Sequence, residues 1–161
     1  MDCLETTSPF LPLPDSLAIT SVAATATHLV VHVTCTSMTA CCPLCQHPSD
    51  RIHGHYGRTV LDLPCAGQRV MLALRVRKFV CRTSTCPQQI FTERLPDLVQ
   101  SYARLTNRLH EALLALGLAT SVQVCTRLVP KLGLQVSASR HLACPAYRCL
   151  HSCHLGTDLG D

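Results

Sequence analysis

The sequence predicts an α+β fold: a small β-rich ribbon closed by cysteines, then an all-α segment, then an irregular tail. Three observations carry this. Two close cysteine pairs, Cys42-Pro-Leu-Cys45 and Cys81-Arg-Thr-Ser-Thr-Cys86, flank 35 residues of strand-like sequence. Apolar alternation runs up to the second pair and stops there. Beyond Pro96 the apolar residues recur at helical spacing instead.

Each element follows from its local pattern. Residues 17–22 and 28–33 are rich in β-branched side chains and form a first hairpin. Arg58 to Leu63 and Arg69 to Val80 make a longer pair, turning at Pro64-Cys65-Ala66-Gly67. In the long strand Val70, Leu72, Leu74 and Val76 share one face, while Arg75 and Arg77 project together from the other. Ile90-Phe91-Thr92 supplies a short return strand. Leu98, Tyr102, Leu105, Leu109, Leu113 and Leu116 then mark a helix that Gly117 ends, with Arg104 and Arg108 one turn apart on another face. A second helix starts at the caps Thr120-Ser121, carries Cys125, Leu128, Val129 and Leu132 at i, i+3, i+4 and i+7, and ends at Gly133. Pro130 inside it costs about 3 kcal/mol unless the helix bends. Ser137 caps a third. The expected domains are 1–96, with the ribbon core at 40–95, a helical 97–143, and a disordered tail at 144–161.

The cysteine spacing points to a metal. Zn²⁺ takes four soft or borderline ligands in a tetrahedron, and a short Cys-x-x-Cys turn delivers two of them. Cys42, Cys45, Cys81 and Cys86 are the expected zinc ligands. Cys42 is preferred over its neighbour Cys41 because it gives the two-residue spacing. Twelve cysteines also permit a disulfide scaffold in a secreted chain. The acidic N-terminus and the early Pro9, Pro12 and Pro14 argue against a signal peptide, and no apolar run approaches a membrane span. A soluble, reducing setting is the expectation. His53 and His55 offer a mixed Cys/His site, but with four thiolates available they read as exposed residues or as partners behind the ligands. The tail set Cys144, Cys149, His151, Cys153 and His154 reads as adventitious metal capture rather than a second zinc site.

Charge is uneven along the chain. Residues 1–49 carry −3, residues 50–97 carry +4 and residues 98–161 carry +3, and the basic excess is almost all arginine. Arginine offers a planar fork for phosphates and guanine edges. Helix, Gly-containing turn and capped helix is the helix-turn-helix pattern, whose second helix enters the DNA major groove. The expected phosphate contacts are Arg75, Arg77 and Lys78 on the ribbon with Arg104, Arg108, Arg127, Lys131 and Arg140 on the helices. Ser137, Ser139 and Arg140 open the expected recognition helix.

The arrangement resembles a known family. Leu11-Pro-Leu-Pro14, Cys42-Pro-Leu-Cys45, Ser49-Asp-Arg-Ile-His53-Gly-His-Tyr56 and Leu61-Asp-Leu-Pro64 look like the N-terminal region of ISL-three-type insertion-sequence transposases. So do Val76-Arg-Lys-Phe-Val-Cys81, Ile90-Phe-Thr-Glu-Arg-Leu-Pro96 and Tyr102-Ala-Arg-Leu-Thr106. The resemblance implies a zinc finger, a helix-turn-helix at residues 121–143 and then a large RNase H-like domain with acidic, Mg²⁺-binding residues. It implies double-stranded DNA as partner, recognised at the element's terminal inverted repeats, in the nucleoid of a bacterial cytoplasm. The pattern stops after Ser139, where Pro145 cuts the recognition helix short. The chain therefore reads as a truncated transposase fragment, not itself an enzyme, that competes with intact transposase for the element's ends.

Two other classes compete. A protein-interaction ribbon without DNA binding fits the same cysteines, because fold alone does not set function. A C-x-x-C redox dithiol needs a strand-to-helix junction, which Pro48 and Gly54 interrupt, and it leaves Cys81 and Cys86 without a role.

Overall fold

The computed structural model describes residues 11–120 and 122–133. Its strands are β1 (Leu17–Ala24), β2 (His28–Cys35), β3 (Ala40–Cys41), β4 (Pro48–Ser49), β5 (Ile52–Cys65), β6 (Gln68–Val80) and β7 (Ile90–Thr92). Its helices are α1 (Asn107–Ala119) and α2 (Val122–Lys131). The fold is mixed α+β and dominated by its sheet.

The two expected hairpins are one sheet. Strands run in the order β1-β2-β6-β5, with β7 also paired to β6. β2 lies parallel to β6, from His28 opposite Arg69 to Thr34 opposite Arg75. Burial drives the merger. Val31 and Val33 of β2 join Val70, Leu72, Leu74 and Val76 of β6 and Val60 of β5 in a single core. β5 also begins earlier than expected, at Ile52, because it stays paired with β6 up to Phe79. Between β5 and β6, Cys65 pairs with Gln68, so the turn proper is Ala66-Gly67, and both residues have positive φ. That is the two-residue turn whose twist matches a β-hairpin.

The first helix starts later than its periodicity suggests. Leu98 and Val99 are buried, but they belong to an irregular segment laid over the sheet. The chain then pairs with β5: Leu61 N–H donates to Arg104 O, and Thr106 N–H donates to Leu61 O. Those carbonyl and amide groups are committed to a strand edge, so the helix opens only after Thr106, whose hydroxyl accepts from Leu109 N–H as the N-cap. Arg104 therefore lies on a loop rather than one helical turn before Arg108. Gly133 follows α2 with φ +78°, and a Cβ there would meet Gly67 O at 2.9 Å. The end of α2 thus seats against the β5–β6 turn. Leu61, Leu109, Cys125 and Val129 form the core beneath the helices. The third helix expected from Ser137 and the tail fall outside the described residues, as does the cap Ser121. A separate cluster of Cys42, Phe79 and Phe91 marks the cysteine end of the sheet.

Candidate metal centre

Two turns bring the four cysteines to one point. In the first, β3 and β4 pair as a short ladder, Cys42 N–H donates to His47 O, and Gln46 N–H donates to Cys42 O. Gln46 has φ +61°, so the chain reverses tightly just after Cys45. In the second, β6 ends at Val80, Cys81 N–H donates to Gln89 O, and Cys86 N–H donates to Thr83 O. Ser49 fixes the turns relative to one another: it is buried, its hydroxyl donates to Val80 O at 2.6 Å, and it accepts from Arg51 N–H. The cluster rests on Phe79 and Phe91, which stack with centroids 5.8 Å apart.

The ligand atoms of Cys42, Cys45, Cys81 and Cys86 lie within 4.8 Å of one another. Cys42 Sγ is 3.9 Å from Cys86 Sγ, and Cys45 Sγ is 3.6 Å from Cys81 Sγ. A tetrahedron with Zn–S near 2.3 Å places its sulfurs about 3.8 Å apart, so the set has the right size and donor chemistry for zinc. Cys41 is exposed whereas Cys42 is fully buried among the ligands. The thiols differ in acidity. The Thr83 hydroxyl beside Cys45, then hydrogen bonding with the His47 backbone, holds Cys45 down at about 6. Burial pushes Cys86 up to about 12. A divalent cation at the centre stabilises all four as thiolates.

The basic residues are less uniform than their sequence suggested. Arg75 is exposed, as are Arg104, Arg127 and Lys131. Lys78 is exposed too, with its ammonium 5.6 Å from the centre of the Tyr56 ring. Arg77 does not project with Arg75: it is buried and forked on Glu93, with Nε at 3.0 Å and NH2 at 2.7 Å from Oε2. The covering strand β7 explains the difference, since Glu93 follows it and bonds the Arg77 backbone as well. Arg108 is committed likewise, to the fully buried Asp62 carboxylate and to Pro12 O. These two arginines hold the fold and are withdrawn from the expected DNA surface. Ser137, Ser139 and Arg140 lie outside the described residues. His53 and His55 are exposed and stand apart from the cysteine cluster.

Sequence reasoning passed over Glu93 and Asp62, the partners that consume those charges. The signal was present in Leu61-Asp62-Leu63, where an acid sits inside an apolar strand and requires a buried partner.

Four converging cysteines on two turns at the end of a sheet define a ribbon-type metal centre. Residues 39–86, the segment that holds all four, match the family described as the zinc-finger of transposase IS204/IS1001/IS1096/IS1165. The similarity is confined to that segment, whose four close cysteines are compatible with zinc binding. No curated protein and no solved structure matches the chain. Among the described residues, no helix is long and apolar enough to cross a membrane.

Proposed function

We propose that this chain is a DNA-binding part of an insertion-sequence transposase, held by one structural zinc on Cys42, Cys45, Cys81 and Cys86. The observation that carries this reading is the coincidence of the four-thiol cluster with the matched segment, residues 39–86. Zinc supplies cross-linking rather than chemistry, because four thiolates leave no open position for a substrate.

The ligand is double-stranded DNA at the element's terminal inverted repeats. Arg75 and Lys78 on the sheet, Arg104 on its loop and Arg127 and Lys131 on α2 are exposed cations suited to phosphate contacts. α1 and α2 follow one another across a short turn and act as the first helices of a helix-turn-helix, with Ser137, Ser139 and Arg140 in the base-reading part.

A gel-shift assay with the terminal repeats and a scrambled duplex, at two salt concentrations, tests the reading. The expected result is binding that weakens steeply with salt and favours the repeats. Absence of salt-sensitive binding to both duplexes would favour a protein-interaction ribbon instead.

A further inference from the structure

A groove of about 850 Å³ runs between the sheet and the irregular segment that crosses it at residues 94–104. Its lining includes Pro43 of the first cysteine turn, Gln88 beyond the second, and Tyr102 and Arg104 of the crossing segment. Arg58, Arg94 and Arg104 line it, and its single lining acid, Glu93, is already neutralised by Arg77. The groove is therefore complementary to an anion.

Tyr102 is the feature without a structural role. It is 95% exposed, and its backbone has φ +63°, a left-handed conformation that costs a bulky L-residue energy. The surroundings hold it there: Arg58 donates to the Ala103 and Gln100 carbonyls, and Arg94 donates to Ser101 Oγ at 3.2 Å. A fold does not need an exposed aromatic in a disfavoured conformation for packing. Strain of this kind, maintained by neighbouring bonds, is associated with ligand contacts. A second aromatic, Tyr56, lines the same groove and carries Lys78 over its ring.

We propose that this groove binds an unpaired stretch of DNA strand, with a base stacked on Tyr102 and the flanking phosphates on Arg94 and Arg104. Aromatic faces interleaved with arginines are the means by which proteins hold single strands without reading sequence. The volume falls in the range of about 300–1,000 Å³ typical of small-ligand sites, so it admits one or a few nucleotides but not a duplex. The choice of DNA over RNA rests on the reading given under Proposed function; the groove geometry itself does not. The groove is lined by no residue of α1 or α2, but it shares Arg104 with the proposed duplex contacts, so it suits the frayed end of a bound repeat.

The test uses the zinc-loaded full chain and fluorescence anisotropy with labelled oligo-dT, oligo-rU and the terminal-repeat duplex. Y102A should weaken oligo-dT binding by tenfold or more, as expected for loss of one base stack, while duplex binding and zinc content stay unchanged. Y102F should retain binding. The chain contains no tryptophan, so Y102W installs a single emitter that oligo-dT should quench. Oligo-dT binding that survives Y102A unaltered, or Y102W emission unmoved by saturating oligo-dT, would overturn the proposal. Tighter binding of oligo-rU than oligo-dT would overturn the assignment to DNA. Loss of repeat binding alone would sink the duplex reading and leave the groove standing.

Discussion

Arg75 and Arg77 occupy the same face of β6 two residues apart, yet they serve opposite purposes. Arg75 is exposed, while the Arg77–Glu93 pair has side chains only 11% and 3% exposed. Breaking a buried pair leaves an uncompensated charge, which costs about 3–5 kcal/mol, whereas an exposed cation contributes mainly to long-range attraction. R77Q should therefore lower the urea midpoint markedly, by about 3 kcal/mol of stability. R75Q should leave the midpoint unchanged and reduce the salt dependence of DNA binding by about one phosphate's worth. Equal effects of the two substitutions on stability would contradict the assigned roles. Asp62 follows the same logic at the other end of the sheet. Its buried carboxylate accepts from Leu63 N–H, from Thr106 and from Arg108, so one acid ties β5 to the start of α1.

Among the elements, the β5–β6 hairpin is the organiser. Its turn residues Ala66 and Gly67 both have positive φ, and Gly133 at the end of α2 packs on Gly67 O. The turn thus sets the hairpin register and seats the second helix. Ala66 is the weak choice there, because a left-handed alanine costs about 1–2 kcal/mol and asparagine tolerates that conformation better. A66N should raise stability by about 0.5–1 kcal/mol, read as a higher urea midpoint at unchanged slope. An unchanged or lowered midpoint would mean that the turn is not of this type in solution. The beginning of α1 teaches a related lesson. Its apolar spacing extends back to Leu98, but residues 104–106 give their backbone groups to Leu61, and Thr106 then fixes where the helix starts.

For the whole molecule, the decisive question is how much of it depends on zinc. A ribbon built only on its metal should unfold across residues 40–95 when a ligand is lost. The structure divides that segment. The core of β1, β2, β5 and β6 is apolar and continuous, while the cysteines sit in a separate cluster with Phe79 and Phe91. Structural zinc contributes about 10–16 kcal/mol in zinc-finger peptides, but only groups coupled to the site share in its loss. Chelation should release one zinc per chain and remove amide protection from residues 40–49 and 81–92. β5 and β6 between Tyr56 and Val76 should stay protected. Hydrogen exchange before and after chelation checks this, and collapse of protection throughout the sheet would show a single cooperative unit instead.

What the sequence determined by itself is local. The two cysteine pairs, the strand alternation that ends at Cys81, the return strand at Ile90–Thr92 and the stop at Gly133 are properties of spacing and of single residue types. A zinc-type ligand set is legible in this way because two short turns carry their own geometry. What only the tertiary structure decided is non-local. Residues 28–35 form the expected hairpin with β1, but nothing in them announces that their other edge will lie parallel to β6, because burial against a distant strand makes that choice. The fates of Arg77 and Arg108 were hidden for the same reason, since their partners Glu93 and Asp62 are 16 and 46 positions away. The groove beside Tyr102 arises only when residues 94–104 fold across the sheet. A periodic pattern records which face a side chain prefers, but the partner that covers the face is chosen by the fold.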